Sequence, residues 1–144
     1  MDYITIDIKV GNYSDIIRGE STENARAIDI SDAVVDIETT LLALSKNIIV
    51  RLGLDLLRKI KVRTNTGIEE RSIYGMAFLD VLDRFGVFEV MEIAEEPPAA
   101  IIGQIPLEVF DLLIHPGDKK VVANPYHNNE LQLEQRTSFD RFDI

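Results

Sequence analysis

The chain has 144 residues, 46% hydrophobic and 28% charged, which suits one domain with a real core and excludes a disordered chain. A net charge of −10 argues against nucleic acid or a membrane as partner, and the densest basic group (Arg58, Lys59, Lys61, Arg63) is closely followed by Glu69 and Glu70. The absence of cysteine removes disulfides, thiol nucleophiles and thiolate metal sites together.

The start, Met1-Asp2-Tyr3-Ile4-Thr5, lacks the basic and apolar stretches of a signal peptide, and no apolar run is long enough to span a bilayer. The expected location is therefore cytoplasmic. Residues 3–10 alternate, with Ile4, Ile6, Ile8 and Val10 on one face, and predict a half-buried strand. Gly11-Asn12 reads as a turn and residues 19–24 as a loop. Ala33-Val34-Val35 is a short buried run leading into Asp36, and Leu41, Leu42 and Leu44 form a second.

Ser45 is placed to cap a short helix through Leu52, with Ile48, Ile49 and Leu52 inside and Gly53 as its stop. Residues 60–93 read as β structure. Thr64-Asn65-Thr66-Gly67 has the chemistry of a hairpin tip, and a second turn is expected at Asp83-Arg84-Phe85-Gly86. Pro97-Pro98 closes that region, and Ile101-Ile102-Gly103 is a short apolar run. Pro106 is expected as the first residue of a helix carrying Leu107, Val109, Phe110 and Leu113. Val121-Val122 is a last strand after the turn Pro116-Gly117-Asp118. The domain then spans 1–123, and 124–144 is a polar tail expected to be flexible. His115 and His127 lie in loop or tail sequence without metal-ligand spacing, so neither metal nor cofactor is expected. Periodicity alone predicts a small, mainly β domain with two short helices.

The segment Val34-Val35-Asp36-Ile37-Glu38-Thr39-Thr40-Leu41-Leu42 carries the chemistry. A carboxylate directly after a buried strand is costly unless it is paired or hydrogen-bonded. The plain interpretation is that Asp36 caps a turn and faces water. The segment also resembles the active-site loop of retropepsin-like (clan AA) aspartic proteases, in which two apolar residues precede Asp-Thr-Gly-Ala-Thr and leucines follow. The likeness continues in order: residues 45–54 end in Leu-Gly-Leu, residues 62–71 resemble the flap hairpin, Ile101-Ile102-Gly103 resembles the second apolar-apolar-Gly motif, and Asn124-Pro125-Tyr126-His127 resembles the family's C-terminal end. It covers about residues 3–128.

The resemblance implies a closed β-barrel with a flap hairpin and one or two short helices, and an aspartic endopeptidase acting on a peptide or protein substrate. Asp36 matches the catalytic aspartate. Two such carboxylates share one proton, one acting as base toward water and the other as acid. Since the chain offers one such loop, the resemblance implies a homodimer. Glu38, Thr39, Asn65, Thr66 and Gly67 would contact the extended peptide.

The motif departs from the family where Ile37 and Glu38 replace Thr and Gly. Ile37 has no hydroxyl to tie two loops together, and Glu38 adds a Cβ and a charge. Two Asp36 and two Glu38 would meet near the axis, each ionised pair costing about 4 kcal/mol at 4 Å and a dielectric near 20. Thr39 stands where retropepsins usually have Ala, and its hydroxyl serves either Asp36 or an ordinary turn. A catalytically inactive peptide-binding or assembly module is the competing expectation. A weaker one makes Asp36 and Glu38 hard-cation ligands on one strand face, for which two carboxylates are too few.

Overall fold

The alternation of the first residues becomes strand β1, Thr5–Asn12, with Ile8 and Val10 buried. A computed structural model describes residues 3–19 and 23–138. After β1 come α1 (Tyr13–Ile17), β2 (Ala27–Val35), β3 (Leu42–Leu44), α2 (Lys46–Leu52), β4 (Asp55–Thr64) and β5 (Gly67–Val81). Then follow β6 (Arg84–Glu92), β7 (Ala100–Ile102), α3 (Gln104–Val109), β8 (Leu112–His115), β9 (Lys120–Ala123) and a 3-10 turn at Pro125–His127.

The sheet order is β1-β2-β7-β3-β6-β5-β4, and β1 also pairs with β5, so six strands return to the first and close a barrel. Closure removes the free edges that an open sheet would present. Strand β4 lies outside the ring and extends β5 as a long hairpin. The mainly β closed barrel with a hairpin and short helices is the fold class expected from the sequence. Val10, Leu42, Leu44, Ile49, Leu79 and Ile102 fill the interior, and Phe88 meets Phe110 edge-on at 5.3 Å.

Helix α2 forms as its sequence signals require. Ser45 Oγ accepts from the Ile48 amide, and Gly53 ends the helix at φ 66, where a Cβ would be strained. Its buried side, Ile48, Ile49 and Leu52, anchors a helix too short to stand alone.

Four local expectations are corrected. Gly11-Asn12 is the end of β1, not a turn: a Cβ on Gly11 would lie 2.1 Å from the Phe78 ring, so the glycine serves close packing. Asn12 then caps α1, a helix the sequence reading missed, and donates to the Leu52 carbonyl at 2.9 Å. The second hairpin turns at Leu82 and Asp83 (φ 49 and 63), so Arg84, Phe85 and Gly86 belong to β6. Neither turn residue is the Asn or Gly that announces such a turn.

Helix α3 begins at Gln104, which makes Pro106 its third residue. The Gln104 and Ile105 amides donate to the Thr39 and Thr40 carbonyls at 2.7 and 2.9 Å, so the first turn is satisfied by tertiary contacts. Leu113 is in β8, not the helix; Asp111 at φ 55 separates the two elements.

Beyond β9, the Asp111 carboxylate accepts from Asn124 Nδ2 (3.3 Å) and the Gln132 amide (3.0 Å) and bonds the His127 ring. The His127 hydrogen bond, first, and those from Gln132 and Asn124 hold Asp111 below the usual carboxylate range. The segment 139–144 and part of the loop expected at 19–24 lie outside the described residues.

Candidate functional site

Strand β7 lies between β2 and β3, parallel to the first (Val34 with Ile101, Val35 with Ile102) and antiparallel to the second (Ala43 with Ile101). The chain leaving β2 must therefore cross over β7 to enter β3. Asp36 begins that crossing. Its amide donates to the Ile102 carbonyl at 3.1 Å, and its own carbonyl accepts from the Thr39 amide at 3.2 Å.

Both carboxylate oxygens of Asp36 are held by the loop: Oδ1 accepts from the Glu38 amide and Oδ2 from the Thr39 hydroxyl, each at 2.9 Å. Asp36 is half-buried, and these donors offset the cost of taking a carboxylate partly out of water. Since β2 stops at Val35 and the chain turns at Ile37 and Glu38, Asp36 and Glu38 do not lie on a continued strand face. The premise for a shared cation site on one strand face is gone. Ile37, at the loop's outer end, is 61% exposed.

Gly103 closes the underside of the loop. A Cβ there would stand 2.3 Å from the Leu41 carbonyl oxygen and 2.5 Å from that of Thr39. The small residue is required by contact with backbone atoms, since its φ of −86 is open to any side chain.

Between this loop and the β4–β5 hairpin lies an open groove of about 570 Å³. Leu41, Ala43, Met91, Glu92, Ile93 and Ile101 line its barrel side, and Ile60, Lys61, Val62, Arg63, Thr64 and Arg71 its hairpin side. Glu38 and Thr39 line it at the loop. The hairpin register pairs Ile60 with Arg71, Val62 with Glu69 and Thr64 with Gly67, and paired residues share a face. Glu69 accepts from Thr64 Oγ1 at 3.0 Å and stands 3.4 Å from Arg71 Nη2. The Thr64 hydroxyl, then the Arg71 charge, hold its carboxyl below the ordinary value.

No protein-family model and no curated protein matches the chain. Among solved structures, the solution structure of the Simian Foamy Virus (mac) protease is similar at 10% identity and a TM-score of 0.45, covering 72% of this chain and 90% of that one.

Of the residues singled out from the sequence, Asp36, Glu38 and Thr39 come together in one loop. Asn65, Thr66 and Gly67 form the exposed end of the hairpin, beyond the residues that line the groove. The reading missed Ile60, Val62, Arg71, Met91 and Ile93. The alternation Ile60-Lys61-Val62-Arg63-Thr64 was available as a signal for the first two. Arg71 stood only as the end of the stretch 62–71 likened to the flap hairpin, and the register shows that it faces the groove side.

Proposed function

We propose that the chain is one half of a retropepsin-like aspartic endopeptidase, in which Asp36 from each of two copies faces its twin across a two-fold axis. An extended peptide lies in the groove beneath the hairpin. The observation that carries the reading is Asp36 itself: a half-buried carboxylate at the end of β2, fixed by two hydrogen bonds, whose neighbours Glu38 and Thr39 form one wall of the groove. Fixed geometry of this kind suits a pair sharing one proton, one member activating water while the other donates to the scissile carbonyl.

Ile37 and Glu38 supply the second reading, a non-catalytic module that binds peptide or assembles through the same face. The loop places Ile37 outward without a hydroxyl and adds a carboxylate two residues from Asp36. Impaired turnover follows on either account.

The deciding experiment digests a peptide library with the purified chain from acid to neutral pH, beside Asp36→Ala and Ile37→Thr/Glu38→Gly. Cleavage that Asp36→Ala abolishes supports the peptidase. No cleavage by the wild type, with cleavage appearing in the double variant, identifies a scaffold whose chemistry the two substitutions switched off.

A further inference from the structure

Three cations of the hairpin line the groove, Lys61, Arg63 and Arg71, and of these Lys61 and Arg63 are exposed while Arg71 is half-buried. Ile60, Val62 and Arg71 line the groove together, and the Arg71 side chain is 18% exposed, against 58% for Lys59 on β4. Its Nη1 donates to the Glu70 carbonyl at 3.0 Å. The Nη2 contact to Glu69 Oε1, at 3.4 Å, is longer than the 2.7–2.9 Å of a strong charge-assisted hydrogen bond. The other Glu69 oxygen is already held by the Thr64 and Thr66 hydroxyls. A guanidinium has five N–H donors, and among the described residues Arg71 uses two.

Resting on the reading of the groove as a peptide site, we infer that Arg71 is a specificity-determining residue that selects an acidic side chain next to an apolar one. The planar fork of arginine matches a carboxylate with two parallel hydrogen bonds, which a neutral carbonyl cannot provide. Successive side chains of an extended peptide point to opposite sides. A residue whose neighbour fills the apolar barrel side, at Leu41, Met91 and Ile101, therefore faces the hairpin and Arg71. Glu38, on the loop side, repels an acidic side chain and so orients it toward the hairpin.

Fluorescein-labelled alanine-based heptapeptides with a central Leu, followed by Glu, Gln or Lys, test this by anisotropy with the full chain. The Leu-Glu peptide is expected to bind about tenfold tighter than Leu-Lys, with Leu-Gln between. Arg71→Glu is expected to invert that order, and Arg71→Lys to keep it with a smaller spread. Equal binding of the three peptides, or an order unchanged in Arg71→Glu, overturns the role of Arg71 and leaves the groove reading standing. No binding of any peptide to the wild type removes the groove reading and this inference with it. If Arg71→Glu does not fold, Arg71→Gln decides: a levelled preference supports the role, and a retained one ends it.

Discussion

The Thr39 hydroxyl donates to Oδ2 of Asp36 at 2.9 Å, while the carbonyl of the same threonine accepts from the Gln104 amide at 2.7 Å. One residue thus ties the acid to the start of α3, and the acid's orientation depends on a packed element. Thr39→Val keeps shape and removes the donor. The expected outcome is about a tenfold loss of peptide cleavage, or of peptide affinity if the chain only binds, with about 1 kcal/mol of stability lost in urea unfolding. Thr39→Ser is expected to retain most of both.

Gly103→Ala pushes a methyl group into the Leu41 and Thr39 carbonyls, the second of which is hydrogen-bonded to the Gln104 amide of α3. The Thr39 carbonyl cannot retreat without loosening its bond to α3. The expected cost is about 3 kcal/mol, read as a lower urea midpoint at unchanged slope. A cost under about 1 kcal/mol contradicts the close approach.

Asp15 is a buried carboxylate, 3% exposed, that accepts from the Arg26 amide and Nε at 2.9 Å and from Arg18. The Arg26 side-chain hydrogen bond, then its backbone amide, push Asp15 far below its ordinary 3.8. A lowered folded-state value stabilises above the unfolded one, so this contribution is present at neutral pH. It is lost as pH falls from about 4 toward the folded value. Asp15→Asn is expected to cost about 2–3 kcal/mol at pH 7, and the gap to wild type is expected to close in strong acid. Urea midpoints at pH 7 and pH 2 measure both.

Glu38→Gln tests how the loop behaves in a two-fold assembly. If two loops meet, removing two of the four carboxylates relieves repulsion when all are ionised. The expected outcome is a dimer about tenfold tighter at pH 7 and low salt, with a smaller gain at high salt, followed by sedimentation equilibrium. An equal dissociation constant for wild type and variant at pH 7 places Glu38 away from the axis.

Helix α2 was legible because its signals are local: Ser45 as cap, Gly53 at positive φ, and Ile48, Ile49 and Leu52 on one side. The hairpin at 64–67 was legible for the same reason, since Asn and Gly announce it. Gly11-Asn12 and Pro106 misled because each is explained by a distant partner. Gly11 makes room for Phe78, and Pro106 sits inside a helix whose first amides are satisfied by Thr39 and Thr40. The turn at Leu82-Asp83 carries no glycine, and pairing of the flanking strands holds it.

By itself, the sequence determined the β character of the chain, the hairpin, helix α2 and the placing of Asp36 directly after a buried strand. These follow from alternation, caps and turn residues, which act over a few positions. Only the tertiary structure decided how the strands close into a ring, why Gly103 must be small, and that Arg71 turns toward the groove. Those properties depend on register and on contacts between residues tens of positions apart, where a side chain's neighbours are set by pairing and no local pattern records them.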